Sequence, residues 1–276
     1  MLQVRVSFVY FLFDKLIQNG LRKASIIPVA EVRIRLYNMV ATSIVYLCME
    51  ENKKKMDEKN KNGLIVLSGG MDSVTLLYDK QDEIAMAVTF NYGSKHNARE
   101  IPFARLHSER LKIPHIVIDL DFMNKYFRSD LLQNGGNIPM GEYNEENMRN
   151  TVVPFRNGIM LSIAAGLAES YDLDKLFIAN HFGDHAIYPD CRAAFIAPMS
   201  EAVTQGTSNG IKIIAPYTNI DKGQIAIIGK RLGLNYAETW SCYCGSEVQC
   251  GTCGTCIERR EAMRQARIDD STTYLH

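Results

Sequence analysis

The chain has 276 residues, 46% of them hydrophobic, which suffices for one large α/β domain or two small ones with a sizeable buried core. Its 31 basic and 31 acidic side chains cancel, and no long Lys/Arg block forms a phosphate-tracking stripe, which argues against nucleic acid as the main partner. The balance hides an asymmetry, because residues 1–55 carry 9 Lys/Arg against 4 Asp/Glu and the remainder 22 against 27.

The first stretches in chain order, "VSFVYFLF" and "MVATSIVYLCM", are apolar but shorter than the roughly 18 to 20 residues that span a bilayer. No membrane segment is expected. Neither is followed by a small-residue cleavage site, so a secretory signal is a poor reading. "MEENKKKMDEKNKNG" reads as a charged, solvated linker ahead of the first strand. Met49 and Met56 both precede that strand, so residues 1–61 are expected to be an N-terminal extension or an over-long start. Function is expected within residues 56–276.

From there short β-rich runs alternate with helix-length segments, the pattern of a parallel sheet. "LIVL" (Leu64 to Leu67), "AMAVTFNY", "HIVIDL", "KLFIAN" and "IKIIAP" are the expected strands. "VTLLYDK", "NAREIPFARLHSERL", "NGIMLSIAAGLAESY" and "KGQIAIIGKRLGL" carry apolar positions at helical spacing. The expected architecture is therefore α/β, a doubly wound and mostly parallel sheet. Residues 121–150, with Gly-Gly and Pro-Met-Gly, break the pattern, and a connection of that length is usually functional.

Between the first strand and first helix lies "LSGGMDS", at the strand edge where open α/β sheets bind ligands. Gly69 and Gly70 permit a tight turn and close approach of backbone N–H groups to an anion. Ser68 and Ser73 add hydroxyls, and the helix start adds its dipole. Asp72 is a candidate ligand for a magnesium ion that neutralises phosphates. The spacing fits neither a Walker A loop nor a dinucleotide fingerprint.

Near the C-terminus, "SCYCGSEVQCGTCGTCIERR" holds five of the chain's seven cysteines. Cys250, Cys253 and Cys256 form C-x-x-C-x-x-C, whose spacing lets successive thiolates face one metal. Cys242 or Cys244 can complete a four-thiolate zinc site. Such a site has no open position, so the metal is expected to be structural. An iron–sulfur cluster is the competing occupant.

Ser-Gly-Gly-x-Asp-Ser resembles the pyrophosphate loop of the N-type ATP pyrophosphatases, which have an adenine-nucleotide α-hydrolase-like, Rossmann-like fold. Together with "FNYGSKHNARE", "TVVPFRN", "YPDCR", "TWSCY" and the cysteine cluster, it resembles the 7-cyano-7-deazaguanine synthase family over residues 62–260. Three departures stand out: residues 1–55 have no counterpart, Phe155 stands where some relatives carry Gly, and Cys244 is an extra thiol. The resemblance favours Cys242, with Cys250, Cys253 and Cys256, as the zinc ligands. It divides the chain into the extension 1–61, an ATP-binding α/β domain 62–240 and a small zinc-binding segment 241–276.

The activity this implies is a C–N-bond-forming ligase that converts 7-carboxy-7-deazaguanine and ammonia, with ATP and Mg2+, into 7-cyano-7-deazaguanine for queuosine biosynthesis. The nucleotide-binding run would comprise Leu67, Ser68, Gly69, Gly70, Met71, Asp72, Ser73, Val74, Thr75, Leu76 and Leu77. Asp72, Lys95, Arg156, Asp190 and Arg192 are the candidate catalytic residues. Lys95 and Arg99 could reach phosphate, although a solvated helix start explains both charges as well. Arg156 and Asn157 could contact nucleotide or the substrate carboxylate, or be a surface Arg and a capping Asn. Asp190 could accept from the N–H donors of a guanine-like edge, with Arg192 clamping a carboxylate.

Cys191 reads as a buried structural thiol rather than a nucleophile. "HFGDH", His181 to His185, reads as polar pocket lining rather than a second metal site. Trp240 could stack on a deazapurine or pack on the zinc knuckle. The implied partners are small molecules, with no nucleic acid, no membrane and a homodimeric state, and the absence of an export signal implies a cytoplasmic location. Two rival functions remain at this point: a tRNA-thiolating enzyme with the same loop, and a non-enzymatic zinc-binding module.

Overall fold

The computed structural model of the protein describes residues 61–141, 148–183 and 187–276. The apolar runs and charged linker read in residues 1–60, and Asp184 and His185 of the "HFGDH" segment, lie outside them.

Five strands, β1 (Gly63–Val66), β2 (Ile84–Asn91), β3 (His115–Asp119), β4 (Lys175–Phe177) and β5 (Lys212–Ile214), form one sheet in the order β3-β2-β1-β4-β5. Every pairing is parallel. The helices are α1 (Met71–Asp79), α2 (Asn97–Arg110), α3 (Asp121–Tyr126), α4 (Arg156–Ser170), α5 (Ala193–Gly206), α6 (Lys222–Arg231) and α7 (Gly254–Ala266). Because strand side chains alternate between faces, Leu64 and Leu176 join a core with α4 and α5, while Ile65 and Phe177 join one with α1, α2 and α6. Burial on both faces explains why the strands read as continuous apolar runs.

The chain steps outward from β1 to β3, then returns to the other side of β1 for β4. The reversal leaves a crevice at the C-terminal ends of β1 and β4, where connecting loops diverge. The strands after this point are shorter than "KLFIAN" and "IKIIAP" suggest. Ile178 still donates to the Ile214 carbonyl at 3.1 Å, after which Asn180 and His181 leave the sheet and line the crevice.

Three helices were not among the sequence expectations, the short α3 falling inside the 121–150 stretch read as a connection. Pro198 interrupts the pattern of α5, and α7 is predominantly polar, with its helix set by tertiary contacts. The segment Arg149–Ser170 is long and apolar enough to cross a membrane by composition alone, but half of its most apolar window is buried in the protein. Core packing of Leu161, Ala164 and Ala168 accounts for that apolarity. Phe155, just before α4, has φ +52°, a left-handed conformation that favours glycine.

The C-terminal residues are built into the same unit. Ala262, Met263 and Ala266 of α7 pack with Ala226 of α6 and Met71 of α1. Arg259, fully buried, donates to the Tyr236 carbonyl, to Thr239 and Thr272 hydroxyls at 2.8 Å and to Asp270 at 3.2 Å. Burial works against the Asp270 charge, but hydrogen bonds and attraction from Arg259 outweigh it and hold the carboxyl at about 2.

Arg259→Met removes this pin and leaves the half-buried Asp270 with only Tyr274 and the Thr272 amide as donors, a loss on the order of 1 to 3 kcal/mol. The expected outcome is a thermal midpoint several degrees lower, partly restored by adding Asp270→Asn. An unchanged midpoint would show that Arg259 does not hold the C-terminal segment.

Candidate active site

The crevice is a cleft of about 1250 Å³, including its open mouth, lined by the β1–α1 loop, the ends of β2 and β4, and the starts of α2, α4, α6 and α7. Gly69 has φ +97°, and a Cβ there would lie 2.2 Å from the Glu100 carbonyl of α2. Only glycine satisfies both the left-handed backbone and the close approach. On its other side the Gly69 carbonyl accepts from the Trp240 N–H at 3.1 Å.

Within the loop, Ser68 and Ser73 hydroxyls are 2.9 Å apart. Ser73 Oγ accepts from the Ser68 and Gly69 amides at 3.2 and 3.3 Å, and Ser68 Oγ accepts from the Gly70 amide at 3.1 Å. These oxygens take the hydrogen bonds that the oxygens of a bound anion would take. The first amides of α1 have no intrahelical acceptor and add to the cradle.

Asp72, in the first turn of α1, faces Lys222 Nζ at 3.6 Å and His181 Nε2 at 3.8 Å. Lys222 also pairs with Glu258 at 2.6 Å. Burial raises the cost of the Glu258 charge, yet Lys222 and His181 outweigh it and hold this carboxyl below its usual range. Asp72 Oδ1 is buried without a hydrogen-bond partner among the described residues. A hard cation fits such an oxygen. Sequence reasoning passed over Lys222 and Glu258, and the one available signal was the position of Lys222 at the start of the helix that follows β5.

Across the cleft, the half-buried Arg156 places its guanidinium 5.8 Å from the ring centres of Tyr92 and Tyr188. It donates to the Tyr92 hydroxyl at 3.3 Å. No carboxylate lies within ion-pair distance of it among the described residues. Tyr92 in turn meets His96 Nε2 at 3.3 Å, and that nitrogen lies 3.6 Å from Glu100 Oε2. Burial, then repulsion from Arg156, takes His96 down to about 3. Burial pushes Glu100 up to about 8 despite Arg156. Both are therefore mostly uncharged at neutral pH.

The other expected site residues lie elsewhere. The Lys95 ammonium is held by the carbonyls of Asp130, Leu132 and Gly136 at 2.6 to 2.9 Å, where it fastens the 130–136 loop instead of lining the cleft. Asp190 accepts from the Asn157 amide at 2.8 Å. Its carboxylate thereby caps α4, which has no cap of its own. Arg192 is exposed at the start of α5. Asn157, His181 and Cys191 do line the cleft. Asn157 Nδ2 lies 3.2 Å from the buried Cys191 thiol. Trp240 packs with the cysteines, its indole N–H donating to the Cys242 carbonyl at 2.7 Å.

Asn180 is a further cleft residue that the sequence did not single out. Its Nδ2 is committed to the Cys191 carbonyl at 2.7 Å and the Thr218 hydroxyl at 3.1 Å, leaving Oδ1 buried and unpartnered.

Cys242, Cys250, Cys253 and Cys256 are buried, with sulfurs within 4.8 Å of one another, and could hold a metal ion. The separations of 3.5, 3.9 and 4.0 Å between Cys253 and Cys256, Cys253 and Cys242, and Cys250 and Cys256 bracket the edge of about 3.8 Å of a tetrahedron with zinc-like 2.3 Å bonds. Backbone amides of Cys250 and Cys253 point at Cys242 and Cys250 sulfurs at 3.3 and 3.2 Å, the second-shell pattern that stabilises thiolates. Cys244 stands outside the four, 3.7 Å from Cys250.

The sequence profile described as queuosine biosynthesis protein QueC matches residues 62–267. A 7-cyano-7-deazaguanine synthase of Porphyromonas gingivalis strain W83 is 65% identical over 217 residues, 79% of this chain and 99% of its own. That of Desulfotalea psychrophila is 48% identical over 216 residues, 78% and 99% of the two chains. Among solved structures, the NMN synthetase of Francisella tularensis aligns over 70% of this chain and 71% of its own, with 15% identity and a TM-score of 0.41.

The sulfur geometry makes a definite statement about the metal. Cys242→Ala is expected to lower bound metal at least tenfold by elemental mass spectrometry, whereas Cys244→Ala keeps the full complement. The reverse result would make Cys244 the fourth ligand.

Proposed function

The chain belongs to the queuosine biosynthesis protein QueC family, and we propose that it converts 7-carboxy-7-deazaguanine, ammonia and ATP into 7-cyano-7-deazaguanine. The observation that supports this best is one cleft holding an anion cradle at Ser68–Ser73 and, facing it, a half-buried guanidinium without a carboxylate partner among the described residues. A substrate carboxylate supplies the missing counter-charge of Arg156.

A carboxylate resists ammonia because hydroxide or oxide would have to leave. Attack of its oxygen on the α-phosphorus of ATP breaks the bond to pyrophosphate and installs AMP as leaving group. Ammonia then forms the C–N bond as the C–O bond to AMP breaks. A second activation, on the amide oxygen, lets that oxygen leave with AMP while both N–H protons are lost, and the nitrile results.

Ser68, Gly69, Gly70 and Ser73 hold the phosphates, and the hydroxyls of Ser68 and Ser73 turn to donate to them. Asp72 would hold Mg2+, which supplies charge neutralisation at the phosphate oxygens. Lys222, kept in place by Asp72 and Glu258, stabilises the charge that builds on phosphorus. Arg156 orients the carboxylate, and Asn180 Oδ1 accepts an N–H from a bound ring system. The enzyme contributes positioning and electrostatics more than covalent chemistry.

The four thiolates would hold zinc, which has no open position there and shapes the cleft wall without touching the reaction. Ammonia as nitrogen donor and a homodimeric state rest on the family resemblance alone, and a cytoplasmic location rests on the metal-spaced cysteines of the sequence.

The test is a mass-spectrometric assay with 7-carboxy-7-deazaguanine, Mg-ATP and ammonium. The expected products are the nitrile, AMP and pyrophosphate, with turnover lowered at least about 10²-fold in Asp72→Ala and KM for the carboxylate raised in Arg156→Met. A folded, metal-loaded protein that binds ATP but forms neither amide nor nitrile would refute the substrate assignment. Bound iron and a coloured protein would favour the tRNA-thiolating alternative over zinc.

A further inference from the structure

The reaction proposed above uses ammonia, but at neutral pH the nitrogen arrives mainly as ammonium, which has no lone pair. The nucleophile must lose a proton inside the cleft, beside an anionic nucleotide whose charge holds ammonium in its protonated form. Nothing described so far performs that step. Lys222 is a cation paired with Asp72 and Glu258, and Arg156 cannot take up a proton.

Glu100 stands apart from the paired carboxylates. It lies on α2, its side chain 13% exposed, and it lines the same cleft as the phosphate loop and Arg156. A Cβ at Gly70, the residue that opens α1, would be 3.7 Å from Glu100 Oε1, so the carboxyl borders the anion cradle. No Lys or Arg lies within ion-pair distance of it among the described residues. Its near neighbour is His96 at 3.6 Å.

The groups facing Glu100 are His96 before its own helix, Tyr92 at the end of β2 and Arg156 from α4. The β1–α1 loop presents the uncharged Ser68 and Gly70, and the 240–241 segment presents the Trp240 carbonyl. His96 Nδ1 is also buried without a hydrogen-bond partner. A Glu100 carboxyl in the cleft wall, with His96 Nε2 as its near neighbour and no Lys or Arg paired with it, suits a small N–H cation.

We propose that Glu100 binds ammonium next to the phosphate loop and takes its proton, making it a catalytic residue of the amidation step. Entry of ammonium sends the Glu100 proton to solvent, the resulting carboxylate accepts one proton from the cation, and the freed lone pair of ammonia forms the C–N bond to the activated carboxyl carbon. The C–O bond to AMP breaks with its electron pair leaving on AMP. The new nitrogen sheds its second proton to the departing phosphate or to solvent. Burial, by raising Glu100 to about 8, matches its basicity to this task better than an ordinary carboxylate near 4.

Three reactions of Glu100→Gln, measured at pH 7 on the full metal-loaded chain, test this. The first is pyrophosphate exchange into ATP, dependent on 7-carboxy-7-deazaguanine and run without a nitrogen donor. The second is amide formation with ammonium. The third is hydroxamate formation with hydroxylamine, a nucleophile already unprotonated at this pH.

The variant should keep exchange within about twofold, lose amide formation by about 10²-fold, and make hydroxamate within a few-fold of the unaltered enzyme. Equal loss with both nucleophiles, unimpaired amide formation, or loss of exchange would each overturn the role of Glu100. An unaltered enzyme that shows neither exchange nor amide would instead overturn the substrate reading, and this proposal with it.

Discussion

The cleft depends on the hydrogen bond from the Trp240 amide to the Gly69 carbonyl. Gly69 is pressed against the α2 backbone on one side, and this bond holds it on the other, so the loop is fixed between two walls. The second wall owes its position to the cysteines. The Trp240 indole is tied to the Cys242 carbonyl, and Cys242 is one of four sulfurs gathered at metal-binding separations. The four gathered sulfurs are thus linked to the Gly69 loop through two hydrogen bonds and a few peptide units, so what holds the cysteines together also holds the loop.

The two sides of the cleft manage charge in opposite ways. Around Asp72, Lys222, Glu258 and His181 the charges are paired, so burial costs little and the group forms a firm anchor for α1, α6 and α7. Around Arg156 the protein supplies phenols, a neutral imidazole and a carboxyl kept mostly protonated. A guanidinium so surrounded retains a strong field for an incoming anion, because a buried charge without a partner is poorly compensated. If Glu100 were an ordinary ionised carboxylate it would cancel part of that field and repel the phosphates beside it.

Much of the fold was legible because the sheet is buried on both faces. Each strand then declares itself as an apolar run, and β1, β2 and β3 match their expected segments to within about a residue or two. The misses share one cause, which is that tertiary contacts replaced local signals. Helix α7 carries few apolar residues but is held by the buried Arg259 and by the cysteines at its start. Helix α5 contains a proline that a local rule counts against it.

At the site, the cysteine cluster was readable because its four gathered sulfurs come from one stretch of fifteen residues, and the glycine–serine run marked the tight turn that borders the cleft. Lys95, Asp190 and Arg192 are charged residues inside recognisable motifs, yet nothing local tells whether a charged group faces a ligand or braces the backbone. Asp190 illustrates the consequence. Its carboxylate caps the first turn of α4 through Asn157, and Arg156 is the first residue of that helix. Phe155, held in a left-handed conformation, offers no cap, so an acceptor from another segment has to fix the direction in which the helix starts. In this structure the motif residue braces the start of the helix that carries the guanidinium.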